Sequence, residues 1–150
     1  MTARDLMTED PITLTPHDRA RDAIDLQLEH DIRHIPVVDE RGKLLGMLSD
    51  RDLRDATLPL WSSFERPVEA KAALEQPVSE IMQTDILMVG SEDEIGDVIE
   101  ILLDHKIGAV PVVEDGSTTL VGIISYVDIL RAVKDQLLIR AAAGPQRPAR

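Results

Sequence analysis

Two short stretches of this 150-residue chain carry the side chains best suited to chemistry. They read Gly46-Met-Leu-Ser49-Asp-Arg-Asp52 and Gly122-Ile-Ile-Ser125-Tyr-Val-Asp128, one spacing written twice. In each, an aliphatic run with a glycine that permits close backbone approach ends at a serine opening a helix. The free N–H groups and the dipole at such a helix start favour an anion such as phosphate. The aspartate three residues on lies one turn away, at the same mouth. When ionised it only accepts hydrogen bonds, which suits a pair of ribose hydroxyls and not a phosphate. The same spacing is also that of a capping box, in which serine and aspartate serve only the helix end. Duplication copies caps as readily as it copies sites, so both readings stand at this point.

The elements that must position these residues are themselves repeated. Sliding the sequence by 75 positions matches Met7 to Met82, Asp10 to Asp85, Asp18 to Asp93, Asp22 to Asp97, Ile24 to Ile99 and Leu28 to Leu103. It also matches His30 to His105, Ile32 to Ile107 and Pro36-Val37-Val38 to Pro111-Val112-Val113. One extra residue within 115–119 then moves the shift to 76, where a hairpin tolerates insertion. Each copy opens with an extended segment, Pro11-Ile-Thr-Leu-Thr or Asp85-Ile-Leu-Met-Val. A helix follows, with Thr15 or Ser91 expected near its N-cap. Its apolar face is read as Ala20, Ala23, Ile24, Gln27 and Leu28 in one copy and as Ile95, Val98, Ile99, Leu102 and Leu103 in the other. Ile35-Pro-Val-Val and Leu44-Leu-Gly-Met-Leu, with their counterparts Val110-Pro-Val-Val and Leu120-Val-Gly-Ile-Ile, read as strands covered on both faces. A second helix starts near Asp50 and near Tyr126. The fold class is therefore α/β (α+β), two pseudo-symmetric β-α-β-β-α units. The first spans residues 1–56 and the second 78–134. Between them, 57–77 is a connector with a short helix at 65–75, in which Leu58, Leu60, Trp61 and Phe64 should be buried. Residues 135–150 are a helix extension, to about Ala143, and a frayed tail.

Composition removes several functions. With no cysteine, disulfides, thiolate metal sites and cysteine nucleophiles are excluded. A formal charge of -12 and only three aromatic residues oppose a nucleic-acid surface. No apolar run approaches membrane-spanning length and the start lacks a signal-peptide pattern, so a cytoplasmic protein with no membrane association is expected. His30 and His105 close the first helices, where histidine suits the dipole. His17 has no neighbouring histidine, and no metal-ligand cluster is apparent. Asp50 and Asp52 lack an acid–base mate, so an enzyme is not expected. Met7 and Met82 read as core fillers.

The unit order, the Ile35-Pro-Val-Val-Asp and Val110-Pro-Val-Val-Glu strands, and both Gly-h-h-Ser-x-x-Asp turns resemble a tandem pair of cystathionine-β-synthase (CBS) domains. The opening Asp5-Leu-Met-Thr-Glu-Asp-Pro-Ile-Thr-Leu and the stretch Ser49-Asp-Arg-Asp-Leu-Arg resemble the small stand-alone bacterial members. The resemblance covers about residues 3–134. It implies a disk-like module, often called a Bateman module, with two clefts between the units that bind adenine nucleotides (AMP, ADP, ATP) or S-adenosylmethionine. Carried over residue by residue, cleft A would use Ser49, Arg51 and Asp52 with Gln83, Leu87, Met88, Gly108, Ala109 and Val110. Cleft B would use Ser125 and Asp128 with Thr8, Ile12, Thr13, Arg33, His34 and Ile35. Ile12, Ile35, Leu87 and Val110 would pack against the base. Gln83 stands where the first unit has Thr8, a departure that puts a polar contact of cleft A in doubt. Arg51 gives cleft A a phosphate ligand in its own turn, whereas cleft B would borrow Arg33 or His34. The implied function is a nucleotide-sensing regulatory module with no required cofactor, acting as a homodimer on an unknown regulated protein. The alternative is a dimeric interaction scaffold with empty clefts.

Overall fold

The opening residues of each repeat fold into the other repeat. In the computed structural model, which describes residues 1–62 and 67–143, single-turn helices α1 (Ala3–Leu6) and α5 (Val78–Ile81) begin the two units. Neither was legible as a helix in advance, although Thr2 N–H donates to Asp5 Oδ2 at 2.8 Å, a local cap. Ala3 and Val78 are fully buried, each in the core of the other unit. Ala3 N–H donates to Asp93 O at 2.8 Å, and Val78 N–H donates to Asp18 O at 2.7 Å, equivalent bonds run in opposite directions.

The remaining elements follow in the expected order. Unit 1 contributes β1 (Thr8–Glu9), α2 (Ala20–His30), β2 (His34–Val38), β3 (Leu44–Ser49) and α3 (Asp50–Ser62). After α4 (Pro67–Glu75) and α5, unit 2 contributes β4 (Val89–Gly90), α6 (Ile95–His105), β5 (Ala109–Val113), β6 (Leu120–Ser125) and α7 (Tyr126–Ala143). The larger sheet has the order β1-β6-β5-β4, so β1 of unit 1 is an edge strand of unit 2. Its equivalent in unit 1 is a single bridge from Gln83 to Met47 beside the β2-β3 hairpin. The hairpin tips also meet: Leu44 N–H donates to Thr118 O at 2.9 Å, and Leu120 N–H to Gly42 O at 3.0 Å.

Four expectations need correction. The opening extended segments are shorter than read: Leu14 makes one parallel bridge to Val37, and Val89–Gly90 pair with Val112–Val113. Thr15 and Ser91 are not N-caps. Asp18 and Asp93 close separate turns by accepting from Thr15 N–H and Gly90 N–H, both at 2.7 Å, and the helices start later, with N-caps Arg19 and Glu94. Leu28 and Leu103 face solvent, 78% and 69% exposed. Leu28 lies five residues past Ala23, about 140° round the helix, and so turns away from the face that Ala20 and Ala23 bury. Finally, β5 is buried along its whole length, but β3 and β6 alternate, because Met47 and Ile123 face cavities and not core. The expected burial of Leu58, Leu60, Trp61 and Phe64 concerns side chains outside the described residues, as does the tail at 144–150.

The two glycines of the repeated motif have a steric reason. A Cβ on Gly46 would lie 2.6 Å from Met82 Sδ, and one on Gly122 would lie 2.4 Å from Met7 Sδ. Each repeat's opening methionine thus presses on the other repeat's strand, where only glycine leaves room.

Candidate ligand-binding site

Strands β3 and β6 end at Ser49 and Ser125, and α3 and α7 begin at the next residue. Both turns form the capping box in full. Ser49 N–H and Oγ each donate to Asp52 Oδ2 at 2.8 Å, and Asp52 N–H donates back to Ser49 Oγ at 3.1 Å. In unit 2 the same three bonds measure 2.8, 2.7 and 3.3 Å. The capping role is therefore real. It occupies one carboxylate oxygen and leaves Oδ1 of each aspartate to face other groups. Gln83 Nε2 donates to Asp52 Oδ1 at 3.0 Å. Asp128 Oδ1 lies 4.0 Å from Arg131 Nη1. The glutamine that departs from the family pattern thus engages the carboxylate it was expected to neighbour.

Each turn opens onto a cavity. Cleft A, about 400 Å³, is lined by Ser49, Arg51, Asp52, Gln83, Leu87, Gly108 and Ala109, as expected from sequence. Cleft B, about 550 Å³, is lined by Thr8, Ile12, Arg33, His34, Ser125 and Asp128. Four expected residues do not line them. Ile35 and Val110 are fully buried in the two cores, since alternate residues of a strand point to opposite faces. Thr13 and Met88, equivalent positions, lie on neither wall. Leu87 and Ile12 line the aliphatic walls as expected, and the rest comes from Ile86 and Ile107 in cleft A and from Ile32 and Ile123 in cleft B.

Several lining residues escaped the sequence reading. Asp10 and Asp85, identical in the repeat, occupy equivalent places on the two walls, as do the matched Ile32 and Ile107. That identity was the available signal. Arg131 also lines cleft B, one turn beyond Asp128. It gives cleft B a guanidinium from its own helix, so the expectation that cleft B must borrow one does not hold. Lys106 adds a second cation to cleft A. His34, assigned to cleft B, lines both cavities. Burial pushes its imidazole below the ordinary histidine pKa, against the opposing pull of the Asp50 and Asp52 carboxylates.

The family model described as CBS domain matches the chain twice, over residues 3–58 and 78–135. The chain belongs to the CBS domain family. Among solved structures, the AcuB protein from Vibrio cholerae is 34% identical with a TM-score of 0.77, covering 97% of this chain and 98% of that one. The CBS domain pair of protein MJ0100, in complex with 5'-methylthioadenosine and S-adenosyl-L-methionine, is 25% identical with a TM-score of 0.74, covering 91% and 98%. CBSX2 in complex with AMP is 26% identical with a TM-score of 0.74, covering 89% and 96%. The first curated relatives are longer proteins. The chain spans 27% of an inosine-5'-monophosphate dehydrogenase from Methanocaldococcus jannaschii that is 28% identical over 95% of this chain. Among the described residues, no helix is long and apolar enough to cross a membrane.

Proposed function

We propose that this chain is a cytoplasmic regulatory module that binds an adenine nucleotide or a related adenosyl ligand in its two clefts. The ligands considered are AMP, ADP, ATP and S-adenosylmethionine, and occupancy would be reported to a regulated protein by a change in module geometry. The observation that carries the reading is the composition of the cleft mouths. Each combines a helix start, an arginine, an aspartate with one oxygen outside the cap, and an aliphatic wall. That set suits phosphate, ribose and base in turn. The AMP complex of CBSX2 and the S-adenosyl complex of the MJ0100 pair support it.

A melting screen over these ligands tests the proposal. A ligand present at 100 times its Kd adds about 2.7 kcal/mol to the folded state, a rise in Tm of about 5–10 °C for a chain of this length. No rise with any ligand would favour the scaffold reading. One observation already leans that way in cleft A, where Gln83 holds the carboxylate oxygen that a ribose would need.

The proposed assembly is a homodimer. Helix α7 leaves Leu130, Val133 and Leu137 on one exposed face, at the i, i+3, i+7 spacing of a helix-packing surface. Light scattering at micromolar concentration should give twice the 16.6 kDa of one chain, and a mass near 16.6 kDa would rule the dimer out.

A further inference from the structure

We propose that Gln83 sets the sugar preference of cleft A, leaving Asp52 able to accept one ribose hydroxyl where Asp128 in cleft B accepts two; this rests on the nucleotide reading above. The difference comes from a count of lone pairs. An ionised carboxylate offers about four acceptor positions, shared equally by its two oxygens. In both turns the helix cap fills Oδ2, which accepts from the serine N–H and from the serine Oγ. Only Oδ1 is left for a diol, and a diol brings two donors.

In cleft A the Gln83 amide has taken one of those positions: Nε2 donates to Asp52 Oδ1 at 3.0 Å. Its backbone is anchored at this mouth. Gln83 N–H donates to Met47 O at 2.8 Å, and Met47 N–H donates to Gln83 O at 2.9 Å. In cleft B the equivalent residue is Thr8, which pairs with Ile123, the counterpart of Met47. Among the described residues, Asp128 Oδ1 accepts no hydrogen bond. Arg131 Nη1 stands 4.0 Å from it, too far to donate. Both positions on that oxygen therefore stay open to a ligand.

A ribonucleotide in cleft B can place both hydroxyls on Asp128. In cleft A the second hydroxyl must displace the Gln83 amide or stay with water. Cleft B should accordingly reject a sugar that lacks one hydroxyl, because a carboxylate built to accept it is then left unpaired. Cleft A should take a sugar with a single hydroxyl as readily as ribose.

Calorimetric titration of the full chain with AMP, 2′-deoxy-AMP and 3′-deoxy-AMP gives, at each site, the cost of losing a hydroxyl. Comparing ligands within one site cancels the other differences between the clefts, such as Arg51 and Lys106 on one wall. In the parent, both deoxy ligands should bind about tenfold more weakly than AMP at one site. At the other, the better of the two should bind within about twofold of AMP. Each repeat already holds the residue that exchanges this behaviour. Gln83→Thr should bring the hydroxyl cost to both sites, and Thr8→Gln should remove it from both. Both side chains are exposed, so both variants should melt near the parent. A similar cost at both sites of the parent, or a pattern that Gln83→Thr leaves unchanged, would overturn the assignment and leave the nucleotide reading intact. Weaker AMP binding in Gln83→Thr would do the same, since the amide would then support the ligand and not compete with it. Binding of none of the three ligands would overturn both.

Discussion

Asp128→Ala should weaken AMP in cleft B about 10–100-fold, and Asp52→Ala should do the same in cleft A. A hydrogen bond to a charged group is worth roughly 1.5–3 kcal/mol, and about 1.4 kcal/mol is tenfold in affinity. The structure complicates the substitution in a useful way. Each carboxylate uses Oδ2 for the helix cap, so alanine also removes the cap, at a cost of about 0.5–2 kcal/mol of stability. Asparagine separates the two roles. Its carbonyl oxygen can take the Oδ2 position and keep the cap, while its amide then stands at Oδ1, where it donates and no longer accepts. Asp128→Asn should therefore melt near the parent yet lose most of the affinity that Asp128→Ala loses. Asp52→Asn carries a second effect, because the amide would oppose the Gln83 amide that now donates to Oδ1. Titration calorimetry beside a melting curve for each variant decides the matter. If the asparagine variants bind AMP like the parent, the aspartates are caps alone and the ribose assignment is wrong.

The capping box and the ribose carboxylate could not be separated in the sequence, because one spacing encodes both. What separates them is which oxygen does what, and that depends on Gln83, 31 positions away from Asp52. Much of the fold was legible. The helix starts at Asp50 and Tyr126, the paired strands and the repeat itself all follow from glycine, serine and aliphatic runs in one stretch of chain. The two cleft walls were legible too, down to Ser49, Arg51, Asp52, Gly108 and Ala109 on one side and Thr8, Ile12, Arg33 and His34 on the other. Errors fell where a side chain's direction depends on tertiary context. Ile35 and Val110 sit in the right strands, but the pleat points them into the cores. Leu28 and Leu103 extend an apolar pattern that the helices do not bury, and the repeat made the same reading fail twice. Arg131 has Asp55 as its counterpart in unit 1, so the repeat carries no signal for it. The exchange of opening segments was also hidden: nothing local says that Ala3 and Met7 pack with Val98 and Ile124 and not with their own unit.

That exchange makes its own prediction. Gly122→Ala should destabilise the protein by about 1–3 kcal/mol, as overpacking of a close-packed site does, because the new methyl would meet Met7 Sδ, Cγ and Cβ within 3.0 Å. Met7→Ala alone should also destabilise, since the thioether packs against the core of unit 2. In the double variant the alanine at 122 occupies space that the methionine has left, so the two costs should not add. The shortfall, measured by urea unfolding of the four proteins in a mutant cycle, should be about 0.5–3 kcal/mol. The pair Gly46 and Met82 repeats the experiment in the other unit with one difference. A methyl on Gly46 also meets the carbonyl oxygen of Gln83 at 3.0 Å, and that backbone moves less readily than a thioether. Removing Met82 should therefore rescue Gly46→Ala less completely than removing Met7 rescues Gly122→Ala. Additive costs in both cycles would mean that the methionines do not press on these strands in solution, and the crossed packing of the two repeats would have to be abandoned. Rescue in both, weaker at Gly46, would show that each unit is held together by the first residues of the other. The cleft walls formed by Thr8 and by Gln83, which follow those methionines directly, would then be placed by the same contact.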